Sequence, residues 1–301
     1  MSSLKMIDYL ETGIMPPGVY FDLSNEFYHG KSKGASSSFL KMLLEYSPAK
    51  ALEKRSSFKA TATMRLGTAV HTLVMEPHRF DAENLVIKSD YWKAQREAEA
   101  ANPGMNIISQ KQYEYAKVMA ANVLEHPMLK HLFADGTAEA SVYQWYNGLS
   151  RDDQTEYREI IKVRPDWLPR GHSCIVDLKS AMDGSYSGFA DAIIKFRYDL
   201  SAAMYKNTCN NCPELLEYCG VHAFTEFIFV VVENVPPFQV SWFKLTEDDM
   251  FHGLQLFETA MHRLHQARKY DWPAYTIDLQ ELQLPPYSKR LPIIQSGYEK
   301  L

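Results

Sequence analysis

The chain has 301 residues, 46% of them apolar and 23% charged, the composition of an ordinary globular protein, with nothing that requires fibrous or disordered structure. That length buries roughly three quarters of the extended chain's surface, enough for one large domain or two modest ones. The formal net charge of −5 argues against a generic polyanion binder, although an enzyme can confine its basic residues to a channel and borrow positive charge from metal ions.

Residues 1–35 read as a peripheral N-terminal segment. Ser36, Ser37 and Ser38 offer N-caps for a helix through Phe39, Leu40, Leu43 and Leu44 that stops near Pro48. A second helix is expected from Met64 to Glu76, ending before Pro77, with Val70, Leu73 and Val74 as its apolar stripe. On its neighbouring face, Gly67, His71 and Met75 fall four apart, and Gly67 would let another backbone approach closely. A third helix is expected from Gln110 to Val123, before Pro127. The period then changes. Ala138–Tyr146, Glu159–Arg164 and Ser173–Lys179 are short β-rich runs, followed by a helix over Phe189–Tyr205. Two more strands, Phe224–Val232 and Phe238–Leu245, flank a Pro236-Pro237 turn, and Thr246 with Asp249 caps a long helix to about Arg268. Helices around a run of strands imply an α/β fold, a central mixed β-sheet flanked by helices. With no repeat and no Gly/Ser linker, 1–301 reads as a single domain, with 275–301 a C-terminal tail carrying Pro285-Pro286.

The chemistry concentrates in Arg164-Pro165-Asp166 and Asp177-Leu178-Lys179. The apolar run Cys174-Ile175-Val176 delivers Asp177 to the end of a buried strand, and residues i and i+2 of a strand share a face, so Asp177 and Lys179 point the same way. Pairing Ile160–Val163 with that strand across the Pro169–His172 turn would carry Asp166 towards Asp177. Two carboxylates beside an ammonium suit a hard, oxygen-loving cation and a positioned water. Phosphodiester hydrolysis needs the scissile phosphate neutralised, a water activated and the leaving oxygen supported, which carboxylate-held metal ions can do. Lys179 would orient or deprotonate the water, or stabilise the developing charge. The alternative is a surface Asp–Lys pair of little energetic consequence.

The run "VRPDWL…IVDLKS" resembles the PD-(D/E)xK (restriction-endonuclease-like) nuclease core. The wider chain, over about residues 20–275, resembles the exonuclease VIII (RecE-type) phage recombination exonucleases. "LGTAVHTLVMEP" is similar to that group's helix bearing a metal-ligating histidine, here His71. "AEASVY" is similar to its glutamate-bearing strand, here Glu139, and "FRYDLSAAMY" to its later helix ending in a tyrosine, here Tyr205. A looser match is "YHGKSKGASSSFLKMLLEYSPAKAL" near the N-terminus.

The resemblance implies catalytic roles for Lys179, Asp177, Asp166, Glu139 and Tyr205. It implies metal ligation by His71, Asp166, Asp177 and the Leu178 backbone carbonyl. The implied activity is a 5′-to-3′ exonuclease on the ends of linear double-stranded DNA. It would need Mg²⁺, with Mn²⁺ substituting, and no ATP. The family works as a ring-shaped oligomer beside a single-strand annealing protein. Consistent with this, no G-x-x-x-x-G-K-[ST] phosphate loop is present. One position departs: Ser201 stands where related nucleases commonly carry a glutamine four residues before the helix tyrosine.

Outside a metal site, His71 would be an ordinary core or surface histidine, and Glu139 an exposed strand residue. Ser36, Ser37, Lys41, Arg197 and Ser201 are candidate DNA contacts, Ser36, Ser37 and Lys41 because a helix N-terminus favours anions, although capping explains the two serines as well. Tyr198 could face DNA or simply pack. Cys209, Cys212 and Cys219 invite a zinc or iron–sulfur reading, but a fourth ligand would have to be Cys174, inside the core strand, or a histidine such as His222. Free thiols fit better, and four cysteines are too few for a disulfide scaffold. No apolar run approaches the roughly 18–20 residues that span a bilayer, and no secretory signal is visible, so the expected location is the cytoplasm.

Overall fold

The computed structural model describes residues 9, 11–57, 59–89 and 91–275. The expected tail beyond Tyr275, with Pro285-Pro286, lies outside the described residues, as do residues 1–8.

A five-stranded mixed sheet forms the centre, built from β4 (Gly136–Ala138), β7 (Trp167–Pro169), β8 (Cys174–Ala181), β9 (Glu226–Glu233) and β10 (Val240–Phe243) in the order β10-β9-β8-β7-β4. β8 and β9 run parallel, and the other pairs are antiparallel. Strand alternation divides the core. Phe227, Phe229 and Val231 of β9 face one apolar cluster, while Ile228, Val230 and Val232 face another. The first cluster takes in α1 (Ser37–Glu45), α7 (Tyr198–Asn210) and α9 (Glu247–Lys269); the second takes in α3 (Ala62–Met75) and α5 (Gln110–Leu124). Caps anchor these helices, those at Ser36 and Thr246 as expected and that at Ser109 found only in the structure. Ser36 accepts from the Phe39 amide, Thr246 accepts from the Asp249 amide, and Ser109 with Gln112 closes a capping box on α5.

A second, antiparallel sheet is ordered β1-β5-β6, with β1 Gly18–Tyr20, β5 Ser141–Leu149 and β6 Glu156–Val163. Two expectations are corrected here. Ala138–Tyr146 is not one strand: β4 and β5 belong to different sheets, and Glu139, at φ 54°, turns the chain between them. Nor does Ile160–Val163 pair with β8. It pairs with β5, and the hairpin partner of β8 is the three-residue β7, through Trp167 and Val176.

The expected helix Phe189–Tyr205 is likewise two helices, α6 (Tyr186–Phe196) and α7, joined at Arg197 in the left-handed region at φ 50°. A single-residue reversal without Pro or Gly leaves no mark on a hydrophobic period. The sequence reading also passed over α2 (Pro48–Ser56), α4 (Trp92–Ala101), α8 (Pro213–Cys219) and the parallel pair β2 (Asn84–Ile87) and β3 (Asn106–Ser109).

The N-terminal segment is built into the fold. Met15, Tyr20, Phe27 and Tyr28 bury themselves against Tyr143. The ammonium of Lys162, only 2% exposed, donates to the Tyr28 and Ser32 carbonyls and to the Ser32 hydroxyl.

Candidate active site

β7 and β8 pair only at Trp167 and Val176, so beyond Val176 the β7-side edge of β8 lies open. Asp166, immediately before β7, closes part of it, its carboxylate accepting from the Leu178 amide at 2.9 Å. The Leu178 carbonyl meets His71 Nε2 of α3 at 2.7 Å, and His71 Nδ1 lies 3.7 Å from Asp166. Glu139 enters from the turn between β4 and β5, with its amide donating to the Asp166 carbonyl at 3.2 Å. One ligand atom from each of His71, Glu139 and Asp166 falls within 4.8 Å of the others. Donors on a single sphere of about 2.0–2.6 Å radius can stand no more than about 4–5 Å apart, so an imidazole and two carboxylates at this spacing fit a divalent cation. Gly67, one turn before His71, faces the Ser180 hydroxyl, which a Cβ would meet at 3.1 Å, so the close approach is to a side chain.

Asp177 and Lys179 do share a face, and they form an ion pair on the α1–α7 side of β8. Lys179 Nζ also lies 3.7 Å from Asp166. Burial works against the Lys179 charge, but Asp177 and Asp166 outweigh it and raise its pKa. Burial raises the Asp177 carboxyl, with Lys179 opposing. Glu139 is pushed up to about 8 by burial and then by Asp166. A divalent ion would reverse that cost by favouring both charged carboxylates.

Around this centre Lys179 Nζ and Lys41 Nζ stand 5.4 and 5.2 Å from the centre of the Tyr198 ring. Burial, and repulsion from Lys179, lower Lys41 to about 8. Tyr205 hydrogen-bonds Ser37 and is raised by burial and by Asp166 and Asp177. Ser36 serves as a cap, and Ser201 is buried on α7. Arg197 is engaged elsewhere, by Asp199 at 2.8 Å and His252 at 3.1 Å. The four cysteines are buried free thiols.

Sequence reasoning assigned no role to Arg164, Asn25 or His29. Arg164 is 5% exposed and donates to Ser141 Oγ at 2.8 Å, Asn25 Oδ1 at 2.7 Å and the Leu23 carbonyl at 2.9 Å, with Glu139 at 3.8 Å. It thereby ties the N-terminal segment to the turn that carries Glu139. No local signal marks it: Lys162 and Arg164 alternate with the apolar Ile161 and Val163, so a period of two assigns them to the face opposite the apolar one, and both are nevertheless buried. Asn25 and His29 line a cleft of about 830 Å³ with Thr68, His71, Glu139 and Lys179.

Among the described residues no helix is long and apolar enough to cross a membrane. No curated protein matches the chain in sequence. In structure it is similar to a "Putative exonuclease" from Eubacterium rectale, at 13% identity and a TM-score of 0.55, over 88% of this chain and 96% of that one. That likeness concerns the fold. Another solved structure, of SSO0001, covers 76% of this chain and 84% of its own at 16% identity and a TM-score of 0.28, too low to carry an argument. The model of a family described as "PDDEXK-like domain of unknown function (DUF3799)" matches residues 36–280. That span holds His71, Glu139, Asp166, Asp177 and Lys179, and the chain belongs to this family and, with it, to the PD-(D/E)xK nuclease superfamily.

Proposed function

We propose that the protein is a divalent-metal-dependent deoxyribonuclease, a 5′-to-3′ exonuclease that hydrolyses phosphodiester bonds from the ends of linear double-stranded DNA. The observation that carries this reading is the convergence of His71, Glu139 and Asp166 on one point, beside a Lys179 held charged by Asp177. A hard cation at that point supplies Lewis-acid stabilisation of phosphate charge and a water of lowered pKa. The resemblance implies His71, Asp166, Asp177 and the Leu178 carbonyl as its ligands; the spacing of His71, Glu139 and Asp166 favours Glu139 in place of Asp177, which is paired with Lys179. Lys179 places a permanent positive charge where the phosphate oxygens gather charge. Tyr198 keeps its ammonium from swinging away, and Asp166 spans the ion site and the lysine.

Mg²⁺ is the expected ion, with Mn²⁺ substituting and no ATP. Exonuclease polarity, a ring-shaped oligomer, a single-strand annealing partner, phage-type recombination and a cytoplasmic setting in a bacterial or phage-infected cell come from the ordered resemblance to the exonuclease VIII group. That resemblance, over about residues 20–275, also supports one nuclease domain, and the anion-favouring N-terminus of α1 supports Ser36, Ser37 and Lys41 as DNA contacts.

The test is incubation of linear and of covalently closed duplex with the protein, in Mg²⁺ and in EDTA. Loss of the linear form alone, in Mg²⁺ alone, is expected. Degradation of circles sinks the exonuclease assignment, and full activity of Asp177→Ala sinks the site.

A further inference from the structure

Helix α3 has the catalytic cleft on one side and a second groove, of about 780 Å³, on the other. Met64, Gly67, Thr68 and His71 line the cleft, Arg65 and Leu66 line the groove, and Thr63 lines both. Across the groove stand Trp92 and Arg96 of α4 and Lys111 and Tyr115 of α5. Trp92 is 59% exposed, and its neighbour Tyr91, 58% exposed, lies 5.7 Å away between ring centres. Neither ring belongs to an apolar cluster, so core packing does not account for them.

The Arg96 guanidinium sits 5.1 Å from the Trp92 ring centre and Lys111 Nζ 5.6 Å from that of Tyr115. Neither cation forms an ion pair among the described residues. The acid of the groove, Glu99, is taken by Arg65 at 3.2 Å. On a chain of net charge −5, this leaves two uncompensated positive charges beside the exposed ring of Trp92 and the half-buried ring of Tyr115, whose other contacts include Phe238 at 5.0 Å between ring centres.

We propose that this groove binds a single strand of DNA, its bases stacked on Trp92 and Tyr115 and its phosphates on Arg96 and Lys111. Aromatic faces alternating with cations meet the two repeating parts of an unpaired strand, whereas a duplex hides its base faces. The substrate class rests on the nuclease reading, since degradation of one strand of a duplex leaves the other unpaired. The shared Thr63 places the groove next to the cleft.

Two measurements separate the two ideas. Anisotropy of fluorescein-labelled dT12, in EDTA to prevent turnover, reads the groove. Metal-dependent hydrolysis of thymidine 5′-(p-nitrophenyl phosphate), too small to reach the groove, reads the metal site. The Trp92→Ala/Arg96→Ala protein is expected to bind dT12 about ten-fold more weakly and to hydrolyse the nitrophenyl ester at the wild-type rate. Lys111→Ala, on a different helix, is expected to flatten the dependence of log affinity on log salt by about 0.7, one phosphate's worth. Unchanged dT12 affinity in both variants overturns the groove, as does wild-type protein that binds no dT12. An equal loss for a blunt duplex overturns the single-strand assignment. A Trp92-dependent dT12 affinity in a protein that never hydrolyses the ester sinks the nuclease reading and leaves the groove standing.

Discussion

Asp166 accepts the hydrogen bond of the Leu178 amide at 2.9 Å, so the carboxylate ahead of one strand satisfies an edge donor of the next. The side chain is therefore both a candidate ligand and a stitch. Asp166→Asn keeps a carbonyl acceptor and is expected to melt within about 1 kcal/mol of wild type, whereas Asp166→Ala orphans the amide and costs about 1–3 kcal/mol. Both should lower nuclease turnover at least about 100-fold, read by end-labelled duplex digestion beside thermal melts.

Lys179→Met leaves the buried Asp177 without its cation. A loss of about 3 kcal/mol is expected, together with a fall in kcat of about 10²–10³-fold. Adding Asp177→Asn removes the stranded charge, so the double variant should recover most of the stability and none of the turnover. Denaturant melts of the three proteins test this. A double variant no more stable than Lys179→Met would show that the pair is not the source of the loss.

Divalent metal should stabilise the fold. An ion that binds only the native state at a hundred times its Kd adds about 2.7 kcal/mol, visible as a rise in Tm with Mg²⁺ or Mn²⁺ that EDTA abolishes. His71→Ala is expected to lose the rise, its metal-free stability falling only by the lost hydrogen bond to the Leu178 carbonyl, about 1 kcal/mol. An equal rise in the variant would place the ion elsewhere.

Lys162 predicts a dependence on pH. Burial, with Arg55 and Arg164 nearby, lowers its pKa to about 7. Between pH 7 and the ordinary lysine value the unfolded chain binds more protons at this residue than the folded one does. Stability attributable to Lys162 therefore rises with pH through that window, by on the order of 2 kcal/mol at pH 9. Lys162→Met strands the Tyr28 and Ser32 carbonyls and should cost about 2–4 kcal/mol at pH 7. The gap between wild type and variant should widen at pH 9, and a gap that narrows would refute a lowered Lys162 pKa.

Gly253 marks where α9 crosses α7. A Cβ there would stand 2.3 Å from the Asp199 carbonyl oxygen, so Gly253→Ala must part the helices. A loss of about 1–3 kcal/mol is expected by urea denaturation, despite alanine's better helix propensity.

Much of this was legible in the chain. The caps at Ser36 and Thr246 and the shared face of Asp177 and Lys179 follow from local rules that tertiary packing had no cause to overrule. What escaped depends on single residues or on distant pairing. Glu139 and Arg197 reverse the backbone at one φ each, and a hydrophobic period is blind to that. β7 is three residues long and its register with β8 rests on one pair, so pairing with the longer β6 run read as better. Arg164 reaches Leu23 and Asn25 across more than a hundred residues, a contact no local pattern encodes.

The left-handed backbone of Glu139 has a further consequence for anyone trying to improve this protein. Glycine adopts that φ without the penalty a side chain meets there, and it would also remove a half-buried acid crowded by Asp166. A screen for thermostability alone should therefore enrich Glu139→Gly, and its winners would be robust, well-folded proteins with an impaired metal centre.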